Sequence, residues 1–143
     1  MSKILFTDTI TLYNHRKVAG EDTWYRTVID GVQWRQKTIN AVTPDGKLSL
    51  HDIVSITIPM RDGYLPATTW LGKKIDGTWT INPESNMDIV VLGVCEKLLS
   101  MQYRIKDLKR EIPDVATITG FFNNTNRGHL KHWRITANAK AKW

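Results

Sequence analysis

Cysteine is nearly absent: Cys95 is the only one in 143 residues. A lone thiol cannot form an internal disulfide, so the fold cannot rest on oxidation or on a cysteine-rich metal framework. Cys95 ends the apolar run Ile89–Cys95, and a buried, inert thiol is the expected state there. Long hydrophobic runs are missing too. No stretch approaches the ~20 apolar residues that cross a bilayer as a helix. The opening residues Met1–Asp8 hold too short an apolar stretch for a secretory signal. The expectation is a protein made and folded in a cytoplasm, with no membrane partner. Also lacking are a phosphate-cradling glycine loop, a G-x-S-x-G elbow and an H-E-x-x-H pair.

What is present is the composition of an ordinary globular chain, 41% hydrophobic and 24% charged. At 143 residues, one domain is expected over 1–143. The net charge of +6 is uneven. Residues 1–96 carry ten Lys/Arg against eleven Asp/Glu, whereas residues 97–143 carry ten against three, so the basic character lies in the last third.

Turn chemistry is the strongest local signal. Asp-Gly occurs at 30–31, 45–46, 62–63 and 76–77, spacings of 15, 17 and 14 residues. Glycine tolerates positive φ and Asp bonds its own backbone, so each pair suits a tight hairpin turn. Between them lie strand-like segments: Thr9–Tyr13, then Tyr25–Ile29 and Val32–Gln36 as arms about the first Asp-Gly, then the alternating Ile53–Ile58. Asp88–Cys95 reads as a strand buried on both faces. Met101, Ile105, Leu108 and Ile112 fall at helical spacing, with Ser100 as N-cap and Pro113 as stop, giving one late helix over about 101–112. Val115–Phe122 and Leu130–Thr136 form two last strands about a polar loop, Asn123–Gly128. The fold class is mainly β, a small barrel or sandwich built from hairpins. The segment 138–143 has no apolar periodicity and reads as a tail that orders on a neighbouring subunit.

Catalytic, cofactor and metal residues are not found, and no cofactor is expected. His129 and His132 stand three apart at a strand start, where such positions point to opposite faces. The aspartates of the Asp-Gly pairs are explained by turn formation. Six tryptophans remain: 24, 34, 70, 79, 133 and 143. Trp79 and Trp133 read as core. Trp24 and Trp70, in polar or small-residue contexts, and terminal Trp143 read as interface anchors. Arg127 in the polar loop and Lys140 and Lys142 in the tail join them as candidate interface cations. A basic last third with tryptophans also fits a second class, a nucleic-acid-binding module on an OB-like barrel.

Several segments resemble known proteins. Asp8-Thr9-Ile10-Thr11-Leu12-Tyr13-Asn14, Thr23-Trp24 and Gly31-Val32-Gln33-Trp34 are similar to the opening of head-completion (head-closure, or stopper) proteins of siphophages and prophages. Asp88–Gly93 and His132-Trp133-Arg134-Ile135 resemble an uncharacterised family of small virion proteins from phages of Gram-positive hosts. The resemblance implies a structural virion protein on a small β barrel, with no catalytic residues. It implies a ring of six or twelve copies in the neck, between portal or adaptor and tail proteins, with DNA passing through the lumen. This chain is longer than the compact closure proteins and has a late helix. Adaptor, stopper, tail terminator and minor capsid protein all remain open as its station.

Overall fold

The computed structural model describes residues 6–42, 44–72, 76–126, 128–129 and 131–140. Six strands form a closed antiparallel barrel in the order β1-β2-β3-β6-β5-β4. They are β1 (Asp8–Val18), β2 (Glu21–Val42), β3 (Leu48–Pro59), β4 (Ile89–Leu92), β5 (Val115–Asn124) and β6 (His132–Lys140). Two short helices, α1 (Ala67–Gly72) and α2 (Ile105–Glu111), and a 3-10 turn at Pro83–Ser85 lie in the connections. The mainly β barrel expected from the sequence is the fold observed.

Turn residues and strands relate differently from the sequence expectation. Asp30-Gly31 is not a hairpin turn. It lies inside the 22-residue β2, whose first half pairs with β1 and whose second half pairs with β3. The register against β1 shifts between Asp8 and Ile10, and Gly31 sits at φ +64. A bulge with a left-handed residue bends a strand, which turns a hairpin arm into a barrel corner. Arg61 braces this corner, donating from Nη1 to Asp30 O at 2.5 Å and from Nη2 to Gly31 O at 3.3 Å. The β1–β2 turn is Ala19-Gly20, both at positive φ. Only Asp45-Gly46 makes a hairpin, between β2 and β3. Asp62-Gly63 and Asp76-Gly77 instead flank a single parallel bridge, Tyr64 to Trp79.

Inward-facing Ile, Val and Leu from every strand fill the barrel. Trp79 and Trp133 meet edge to face at 5.6 Å, with Tyr64 4.7 Å from Trp133, as core residues. Burial raises the pKa of the Tyr64 hydroxyl above its ordinary value. A second core lies outside the barrel, where Tyr13, Ile89 and Val91 meet Cys95, Leu99 and Leu108. β4 is thus covered on both faces, as its unbroken apolar run requires. Thr11 ties the covering segment down: its Oγ1 donates to Gly93 O and accepts from Cys95 N, each at 2.8 Å. Tyr13 Oη donates to Lys97 O at 2.6 Å, and burial raises its pKa.

The late helix is shorter than expected. Ser100 Oγ accepts from Gln102 N and Tyr103 N, but this closes a turn ahead of the helix. The helix begins after Arg104, whose N–H donates to Asp107 Oδ2 at 2.9 Å. Leu108 is buried and Ile105 and Ile112 half-buried, as their spacing predicts, but Met101 is exposed.

The expected tail is corrected in part. Asn138, Ala139 and Lys140 belong to β6 and pair with Ile53, Asp52 and His51 of β3. β3 offers an unpaired edge there, so even a sequence without apolar periodicity completes the sheet.

Candidate interaction surfaces

Three surfaces stand out, each made by a different feature of the barrel. The first is an arm. Among the described residues, β3 pairs with β6 as far as His51, opposite Lys140. Beyond it, Asn40–Leu50, Ala41–Ser49 and Val42–Leu48 pair with each other and, among the described residues, with no third strand. Two strands alone are marginal in water. Val42 near the arm's tip leaves 69% of its surface exposed.

The second is apolar. The segment after β4 covers β1 and β4 with Cys95 and Leu99 but turns Val94 and Leu98 outward, at 62% and 70% exposure. A groove of about 400 Å³ runs beside them, lined by Val91, Leu92, Val94, Cys95, Glu96, Lys97 and Ile112. The sequence hides this surface, because Val94 and Cys95 are adjacent in one apolar run, and only the tertiary cover decides which of them is buried.

The third is the outer face of the sheet formed by the second half of β2, β3, β6 and β5. Side chains alternate across each strand, so Arg35 and Lys37 face out with Ser55 and Thr57. Arg134 and His132 face out from β6, opposite Thr57 and Pro59. These residues, with Gln33, Gln36 and Ile53, line a groove of about 580 Å³ with no carboxylate among its described lining residues. Arg134 Nε donates to Ser55 Oγ at 3.0 Å, which lays the guanidinium across β3 toward the β2 cations. His132 Nε2 meets Asn124 Nδ2 at 3.2 Å. On β5, Phe122 stands directly opposite Arg134, 54% exposed. The basic character therefore is not a property of the last third alone: cations from the first third share one face with cations from β6.

The residues expected at an interface divide. Trp24 and Trp70 are not surface anchors. Trp70 is fully buried, its ring edge to face with Tyr25 at 5.6 Å. Trp24 packs in the second core and donates from Nε1 to Met87 O at 3.0 Å. Trp70 sits on the short helix α1 and Trp24 on β2, and a small or polar local context does not prevent a distant segment from covering either ring. Lys140 is the last residue of β6, while Arg127, Lys142 and Trp143 lie outside the described residues. Cys95 is buried and unpaired. Among the described residues no three His, Cys, Asp or Glu side chains converge as metal ligands, and no helix is long and apolar enough to cross a membrane.

Asp88, at the entry to β4, is a fully buried carboxylate. Its carboxylate accepts from His15 N and Asn14 Nδ2, each at 2.9 Å, and from Asn82 N and Ser85 Oγ, each at 3.2 Å. Burial raises its pKa, and these four bonds oppose that shift. Four donors from β1 and the 3-10 turn make it a structural clasp.

Fold and surfaces together define a closed six-stranded antiparallel barrel whose β2–β3 hairpin continues beyond the last described pairing with β6. The chain belongs to a family of unknown function (DUF6751), which matches residues 5–138. Neither the curated proteins nor the solved structures yield a match.

Proposed function

We propose that this chain is a structural subunit of a tailed-phage particle, placed in the head–tail connector between portal and tail. It acts by protein–protein assembly and not by catalysis, as a ring of six or twelve copies. The observation that carries this reading is the β2–β3 arm, three residue pairs of which lie beyond the last pairing of β3 with β6 among the described residues, with Val42 exposed near the tip. A two-stranded ribbon of this kind gains stability when a neighbour covers it. The apolar surface at Val94 and Leu98 lies over β1 and β4, not on the arm. Two different surfaces on one subunit suit head-to-tail contacts, which close into rings when the rotation permits. The resemblance of Asp8–Asn14, Gly31–Trp34 and Asp88–Gly93 to head-completion and neighbouring virion proteins supports a place in the head–tail region, with adaptor, stopper, tail terminator and minor capsid protein all open as the station.

Two measurements test this. Mass spectrometry of purified mature particles from a phage that encodes the chain should detect it in stoichiometric, multi-copy amounts. Its absence would sink the reading. Sedimentation of the purified protein over a concentration series should show self-association that Val42→Asp abolishes at an unchanged melting temperature. Association that ignores this substitution would remove the arm from the interface.

A further inference from the structure

We infer that the outer face of β2, β3, β6 and β5 binds single-stranded nucleic acid along its phosphate backbone. The inference is independent of the ring assembly, because it uses a different surface. Charge complementarity selects the occupant. Arg35, Lys37 and Arg134 are exposed on one face, and none makes an ion pair with a described carboxylate. Three cations without an ion pair, around a groove with no carboxylate among its described lining residues, favour a polyanion, since each phosphate contact releases condensed counterions. Ser55 and Thr57 stand between them on β3 and offer hydroxyl donors to phosphate oxygens.

Geometry narrows the polyanion. Arg35 on β2 and Arg134 on β6 are separated only by β3, so about 10 Å of sheet lies between their strands. That width suits one phosphate backbone. Arg134 is held by its bond to Ser55 at 3.0 Å, which limits the side-chain ordering that binding must impose. Phe122, directly opposite Arg134 on the next strand, exposes an aromatic ring at the edge of the cationic track. A cation track beside an exposed ring is the combination that holds unpaired bases, because stacking needs a base face that a duplex hides.

The test is fluorescence anisotropy with a labelled mixed-sequence DNA strand, its duplex, and unlabelled polyglutamate as competitor, between about 50 and 200 mM salt. The strand should bind more tightly than the duplex, with a log–log salt slope of about −2 for three phosphate contacts. Arg35→Gln with Arg134→Gln should weaken binding about tenfold or more and flatten the slope by one to two. Phe122→Ala should weaken strand binding by roughly tenfold while leaving the slope unchanged. All three positions are exposed, so melting temperatures should match the parent, and Lys37→Gln provides an independent variant at the same face. No binding at low salt, or unchanged affinity in the folded variants, would overturn the inference. So would duplex binding as tight as the strand's, or displacement by polyglutamate at equal charge, which would point to an acidic protein partner.

Discussion

Gly63 lies against the indole of Trp79. A Cβ at position 63 would stand 2.9 Å from Trp79 Nε1, and Gly63 O accepts from Trp79 N at 2.8 Å. Gly63 also sits at φ +102, a conformation L side chains rarely adopt. Its Asp-Gly pair is thus required by a packing contact as well as by a turn. Gly63→Ala must both strain the backbone and displace a core tryptophan. The expected cost is about 2–4 kcal/mol, read as a lower urea midpoint at unchanged slope. A loss under about 0.5 kcal/mol would show that the Tyr64–Trp79 bridge yields freely.

Asp88 gives a prediction with a sign. In the fold its pKa is raised, so between the ordinary carboxylate value of about 3.9 and the folded value the native state holds more protons than the unfolded state. Asp88 therefore favours the fold most at low pH, and that contribution is lost as pH rises through its folded pKa. Asp88→Ala removes this pH slope. At about pH 7 it also strands His15 N, Asn14 Nδ2 and Asn82 N without their acceptor, at an expected cost of about 3 kcal/mol or more. Urea midpoints of parent and variant across this range measure both effects. A difference between the two that stays constant with pH would contradict the assigned direction.

Trp70 separates burial from hydrogen bonding. It is fully buried, and its Nε1 has no hydrogen-bond partner among the described residues. Trp70→Ala should cost about 3–5 kcal/mol in the isolated subunit. Trp70→Phe keeps an aromatic face toward Tyr25 and removes a buried unpaired donor, so about 1 kcal/mol is expected. Calorimetry of the two variants decides. A stable Trp70→Ala subunit that fails only in assembly would restore Trp70 as a surface anchor.

Truncation tests the end of β6. A chain ending at Ala137 loses the pairings of Asn138, Ala139 and Lys140 to β3 and that of Asn138 to Thr117 of β5. At about 0.5–1.5 kcal/mol per lost backbone bond, the expected loss is about 2 kcal/mol, or on the order of 5–10 °C in melting temperature. An unchanged melting temperature would mean that these residues contribute only on assembly.

The sequence by itself determined the class of the fold. Alternation in Ile53–Ile58 and the position of Trp133 are local patterns that a strand's period of two carries into the structure unchanged, and the unbroken apolar run at Ile89–Leu92 becomes a strand covered on both faces. Arg134 and His132 could likewise be assigned to one face by counting. What only the tertiary structure decided is how strands and faces combine. Asp30-Gly31 bends one long strand because β1 and β3 pair with its two halves, and neither partner is specified by the dipeptide. Trp24 and Trp70 are buried by segments distant in the chain, which no local context reveals. Arg35 and Arg134 share a groove only because β3 lies between β2 and β6. Pairing across long sequence separations is set by the summed burial of the barrel, so a surface assembled by it is legible only once the barrel has closed.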